Sequence, residues 1–305
     1  MFNWLLPHFS QIYLRLMNTK PLILLASMAL FTACSSSEQE GTTDMAADSV
    51  AASSLEQLWS TDTTLQVPES VLLDAANNVL YVSLIDGAPD GKDDKGGIAR
   101  VGTDGTILDA NWVTGLSAPK GMGMAGDQLY VTDLTELVQI DIPTGKIVKK
   151  TPVEGSIFLN DVSVDKEGGV YFTDMRAGKI HLLKDGAITT YFEGIDSPNG
   201  VLAVADGVLF TEKGKLQKLD AQKNKTTLAE GMDGSTDGIE EVAPGEYLVS
   251  CWAGEVYHVK DGTATKLLDT KESKTNSADI DYDAAKKIVY VPTFFKKSVV
   301  AYQLK

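Results

Sequence analysis

A tetrapeptide recurs along this chain at a nearly constant interval, and the interval dictates the architecture. The aligned copies are Pro68-Glu69-Ser70-Val71, Pro119-Lys120-Gly121-Met122, Leu159-Asn160-Asp161-Val162, Pro198-Asn199-Gly200-Val201, Thr236-Asp237-Gly238-Ile239 and, weakest, Ser277-Ala278-Asp279-Ile280. The steps between their second residues are 51, 40, 39, 38 and 41. Each copy leads into an apolar segment that reads as a strand. A period near forty in an all-β chain assigns one four-stranded blade to each repeat, so six repeats predict a six-bladed β-propeller. Equivalent residues of successive blades point at one axis. The linear series thereby becomes a ring: Glu69, Lys120, Asn160, Asn199, Asp237 and Ala278. Two carboxylates and two amide oxygens are hard donors of the kind a divalent cation such as calcium prefers. Zinc and manganese are the alternatives.

Each repeat has the same internal order. In the third, Val162-Ser163-Val164-Asp165 alternates, Glu167-Gly168-Gly169 turns, and Val170 to Asp174 forms the next strand. Gly178 to Leu183 ends at Lys184-Asp185-Gly186, a hairpin signal, and Ile188 to Phe192 makes the outer strand. The sixth repeat stops at its third strand, Val299 to Leu304. Leu55-Glu56-Gln57-Leu58-Trp59 precedes the first ring residue, where an outer strand precedes every other one. The propeller is therefore expected to be closed by this N-terminal outer strand, which removes an open edge. An insertion in the first repeat, Asp86 to Gly96, is placed to cap one face.

The chain ahead of residue 55 reads as targeting and tether. Residues 21–33 are uncharged and apolar after Lys20, too short to span a bilayer comfortably, and fit a signal peptide. Met17 is an alternative start to Met1. The stretch ends Thr32-Ala33-Cys34, which resembles a bacterial lipobox, with Phe31 where Leu is usual. Cys34 is then the lipidated mature N-terminus; ordinary cleavage nearby, with Cys34 a free thiol, is the other reading. Residues 35–54 lack aromatic residues and form a flexible tether. The organisation is thus a signal peptide over 1–33, a tether over 34–54 and a propeller over 55–305. The expected location is the bacterial cell envelope, lipid-anchored, facing the periplasm or cell surface, as a monomer. The formal net charge is −15, and removing the leader takes away Arg15 and Lys20 but no acid. Such a surface repels nucleic acid and anionic lipid headgroups, leaving the anchor as the membrane contact.

The ring residues resemble those of the gluconolactonase/regucalcin family of six-bladed propellers, over nearly all of 55–305. The resemblance rests on Glu69, Asn160-Asp161, Asn199-Gly200 and Asp237-Gly238. It implies that Glu69, Asn199 and Asp237 hold a divalent metal and that Asn160 contacts water or substrate. It also implies that Asp237 acts as general base. Asp161, next to Asn160, is a candidate substrate-binding residue that either orients the ring or ties down a turn. The implied function is metal-dependent hydrolysis of a lactone-like ester. Three positions depart from the family pattern. Phe158 stands where an Arg usually holds sugar-like substrates, which points to a flatter or more apolar ligand. Ser70-Val71 replaces Gly-Pro after Glu69. Lys120 enters the ring, either to pair with Glu69 or to bind an anionic substrate group.

Other candidate chemistry is absent from the sequence. No Gly-x-Ser-x-Gly elbow, phosphate-binding loop or zinc-type His/Cys spacing occurs. Trp59, Trp112 and Trp252 read as blade packing, His181 and His258 as sheet residues, and Cys251 as a buried small apolar residue. Asp133, Asp174 and Glu212 read as hydrogen-bonding turn residues. Two function classes remain: the lactone hydrolase, acting on a small molecule, and a non-catalytic periplasmic ligand- or protein-binding propeller of the NHL-like kind.

Overall fold

A computed structural model describes residues 53–305; the leader, most of the tether and Cys34 lie outside the described residues. Twenty-four strands form six four-stranded antiparallel sheets, the blades of an all-β propeller. The innermost strands are Pro68–Asp74, Pro119–Ala125, Leu159–Val164, Pro198–Val204, Thr236–Ala243 and Asp281–Asp283. Blades two to five are meanders, their successive strands joined by tight turns. The Asp-Gly pairs explain this locally. Asp185 and Gly186 take φ of 51° and 78°, and Asp261 and Gly262 take 48° and 76°. Positive φ at both central residues is the turn whose twist matches the flanking strands. Lys184 accordingly faces Ala187, and Lys260 faces Thr263.

The sixth blade is completed by the N-terminal strand Leu55–Ser60, which pairs antiparallel with Val299–Leu304, Leu55 opposite Leu304 and Ser60 opposite Val300. Trp59 locks this closure. Its ring packs 5.9 Å from Tyr290, and its indole N–H donates to Thr103 O at 3.2 Å in the first blade. Apolar side chains fill the spaces between blades. Leu209 and Leu216 of blade four, for instance, pack with Ile239 and Val249 of blade five. At the axis, blades six and one are joined through backbone: Asp279 N donates to Glu69 O at 3.0 Å, and Val71 N to Asp279 O at 3.2 Å.

Candidate functional site

A β-bulge sets the direction of each of five ring residues. In blades one to five the innermost strand skips register at the ring residue, so two inner residues oppose one residue of the second strand. That opposing residue is Ser83, Thr132, Thr173, Thr211 or Ser250, and all five are fully buried. Their hydroxyls stitch neighbouring blades. Thr173 Oγ1 accepts from Asp161 N at 3.1 Å and donates to Asn199 O at 2.7 Å in the next blade. Thr211 Oγ1 accepts from Gly200 N at 2.8 Å and donates to Asp237 O at 3.3 Å. Thr132 donates to Asn160 O, and Ser250 to Ala278 O at 2.8 Å. Gly200 and Gly238 complete the arrangement, since a Cβ on either would collide with Asp237 O or Asp279 Oδ1 of the next blade.

Five of the six ring residues, Glu69, Lys120, Asn160, Asn199 and Asp237, line one axial cavity of about 320 Å³, together with Phe158. Three polar members are directly linked. Asn160 Nδ2 donates to Asn199 Oδ1, and Asn199 Nδ2 donates to Asp237 Oδ1 at 2.9 Å. Several polar atoms are buried without a partner among the described residues: Glu69 Oε2, Asn160 Oδ1 and both carboxylate oxygens of Asp161. Asp161 is 2 % exposed and does not line the cavity itself.

Burial dominates the electrostatics here. The pKa of Glu69 is pushed up to about 8 by desolvation, with Lys120 pulling it down and Asp279 pushing it further up. Desolvation also raises Asp237 well above the carboxylate range, aided by the charges of Asp161, Glu69 and Asp279. Asp161 and Asp279 are raised for the same reason. Glu69 combines an unpartnered buried oxygen with a carboxyl that burial keeps from ionising, and a bound cation would relieve both. Among the described residues no three His, Cys, Asp or Glu side chains converge as a metal cluster. The donor set is instead two carboxylates with amides, all oxygen, which fits calcium better than zinc.

Lys120 is turned away from the role of simple counter-ion. Its ammonium donates to Pro89 O at 2.8 Å and Ala118 O at 2.9 Å, and lies 4.5 Å from the centre of the Phe158 ring. Burial lowers its pKa, and the charges of Glu69, Asp133 and Asp90 partly restore it. The guanidinium of Arg176 sits 4.3 Å from the same ring and pairs with Asp90 at 3.1 Å. The insertion Asp86 to Gly96 therefore reaches the cavity through Pro89 and blade three through Asp90. Asp133, Asp174 and Glu212 serve as anchors: Asp133 accepts from Ser117 N and Ala118 N, Asp174 from Ile157 N and Phe158 N, and Glu212 from Asp196 N.

The sequence pattern misses one half of the cavity. Ile85, Met175, Trp252 and Phe294 line it, with Lys213 among its polar residues. Trp252 corrects the expectation of blade packing, being 38 % exposed and edge-on to Phe294 at 5.5 Å. Trp59 and Trp112 do pack between strands, against Tyr290 and Tyr81. The sixth ring position, Ala278, joins an apolar cluster with Ile85, Ala118 and Phe294. The buried Ser/Thr series opposite the bulges carries a sequence signal of its own, because it follows the same forty-residue frame.

No protein-family model and no curated protein sequence matches this chain. Solved structures do match in fold. A candidate gluconolactonase has 15% identity and a TM-score of 0.64, covering 84% of this chain and 93% of its own. A catalytically inactive virginiamycin B lyase from Staphylococcus aureus with quinupristin has 14% identity and a TM-score of 0.58, covering 83% of this chain and 100% of its own. A chain of a nidogen/laminin complex has 16% identity and a TM-score of 0.57, covering 70% of this chain and 83% of its own. At these identities the similarity establishes the propeller fold.

Proposed function

We propose that this chain is a divalent-metal-dependent hydrolase of a lactone-like ester. One observation carries the reading. The ring positions of blades one, three, four and five deliver Glu69, Asn160, Asn199 and Asp237 to one cavity, and Glu69 Oε2 and Asn160 Oδ1 are buried there without partners. Glu69, Asn199 and Asp237 would hold the cation, calcium by the chemistry of the donors. Such a cation supplies Lewis acidity to an ester carbonyl. Two carboxylates balance its charge. The oxygen of Asp237 that Asn199 does not engage takes the proton from attacking water. Asn160 Oδ1 orients that water or a substrate hydroxyl. Lys120 and Phe158 shape the substrate side of the cavity, and Asp161 is tied down next to Asn160 by its backbone N–H to Thr173 Oγ1.

A screen of sugar, aliphatic and aryl lactones with calcium, zinc and manganese tests this. Turnover of at least one lactone, lost in Asp237→Ala, is the expected result. Metal-saturated protein inert on every lactone would leave the binding-propeller reading, which the ammonium of Lys120 in the ring favours.

The chain is further proposed to be a lipid-anchored protein of the bacterial cell envelope, on the strength of the segment ending at Cys34. Cys34→Ala is expected to move it from the membrane to the soluble fraction on cell fractionation. Unchanged membrane association would refute the anchor.

A further inference from the structure

The cavity is two-sided, and its second side specifies a class of substrate. On one side stand Glu69, Asn160, Asn199 and Asp237. On the other the ring position is Ala278, which lies behind the wall and packs with Ile85 and Phe294. Phe294 opens a short 3-10 turn, Phe294–Lys296, with φ of 49°. A left-handed φ at a bulky aromatic residue is strained and persists only where its surroundings hold it. Here they do: Lys297 N donates to Phe294 O at 3.0 Å, while Thr293 Oγ1 donates to Ser298 O at 2.8 Å and accepts from Ser298 N at 3.1 Å. The strained turn directs the Phe294 ring into the cavity wall.

From Phe294 the apolar surface continues outward. Trp252 meets Phe294 edge-on at 5.5 Å, and Phe295 meets Phe294 at 4.8 Å and Trp252 at 6.1 Å. Trp252 and Phe295 are 38 % and 57 % exposed. Two exposed rings, Trp252 and Phe295, joined through the buried Phe294, therefore give the polar cavity an apolar rim that a ligand can cover. A polyhydroxylated sugar would lose water from its hydroxyls along this wall and gain at most one indole N–H.

We propose that the substrate is an ester or lactone bearing an unbranched alkyl limb, with its carbonyl at the polar ring and its limb along Phe294 and Trp252, which the fully buried Ile85 backs. This rests on the hydrolase reading for the reaction but not for the binding. The test is a series of γ-lactones whose side chain lengthens from none to six carbons, with gluconolactone alongside. Each methylene buried on the wall is expected to raise kcat/KM about fourfold, until the chain passes Trp252. Trp252→Ala should flatten that dependence, so that kcat/KM no longer rises with side-chain length. Phe294 is buried, so Phe294→Ala can fail by misfolding; Trp252 is partly exposed, and its replacement avoids this. Binding of the matching alkyl lactams, which resist hydrolysis, is followed separately by tryptophan fluorescence, with Trp252→Phe identifying the reporter. No lactone turnover with chain-length-dependent lactam binding would sink the hydrolase and support the alkyl wall. Turnover without chain-length dependence, a preference for gluconolactone, or lactam binding indifferent to chain length would overturn the proposal.

Discussion

Asp237→Asn is expected to produce two opposite changes in stability and a large loss of turnover. Without calcium, the variant should melt higher than wild type at neutral pH. Asp237 is held well above the carboxylate range by burial and by Asp161, Glu69 and Asp279, so its ionised form is unfavourable in the empty ring. Folding at neutral pH must therefore protonate it, a cost that a neutral amide of the same shape avoids. With calcium the order should reverse. Binding to the native state alone stabilises by about 2.7 kcal/mol at a hundredfold excess over the dissociation constant. The variant loses one of the two charges that would hold the ion, and most of this stabilisation should go. Turnover should fall by roughly a thousandfold, because an amide cannot accept the proton. Melts with calcium and with chelator, together with a kinetic assay, read all three effects. A calcium-induced rise in melting temperature as large in Asp237→Asn as in wild type would place the cation elsewhere.

The second large effect is on pH dependence. Glu69 is raised from an ordinary 4.5 to about 8, and Asp281 from 3.8 to about 6. For these groups the folded state binds more protons than the unfolded state between the two values. Stability of the metal-free protein therefore falls as pH rises through that window. The full contribution is present below the ordinary carboxylate pKa and is lost as pH climbs to about 8 for Glu69. Each pH step of one across the window costs about 1.4 kcal/mol per group, so the loss amounts to several kcal/mol. Lys120, lowered by burial, acts in the opposite sense in a window that ends at 10.5. The exposed acids with lowered values contribute little, since solvent screens them. Calcium competes with these protons, so its stabilising effect should grow with pH. Denaturant unfolding at a series of pH values, with and without calcium, measures both slopes. A metal-free protein that gains stability from about pH 5 to about 8 would contradict the buried-acid description.

The parts of this fold visible in the sequence are those that repeat. Blade number, the closing strand and the Asp-Gly hairpins each follow from local chemistry copied at one period, and so do the ring positions. Side-chain direction at the ring is less visible, because it depends on bulges held by hydroxyls such as Thr173 and Thr211 from another strand. Lys120 illustrates the limit. Its ammonium goes to Pro89 O, supplied by an insertion that belongs to no repeat. Trp252 escapes for a different reason: it stands two residues after Ser250, as Ile85, Met175 and Lys213 stand after Ser83, Thr173 and Thr211, so the position recurs but the residue types do not. Ala278 shows the converse. The frame identifies its position and its small apolar residue, but only the structure shows that it packs with Ile85 and Phe294.

Calorimetric titration of calcium into metal-stripped protein tests the central claim most directly. One site per chain is expected in wild type, abolished in both Glu69→Gln and Asp237→Asn and retained in Trp252→Ala. Absence of calcium binding in wild type, or undiminished binding in the two ring variants, would contradict a cation site on the propeller axis.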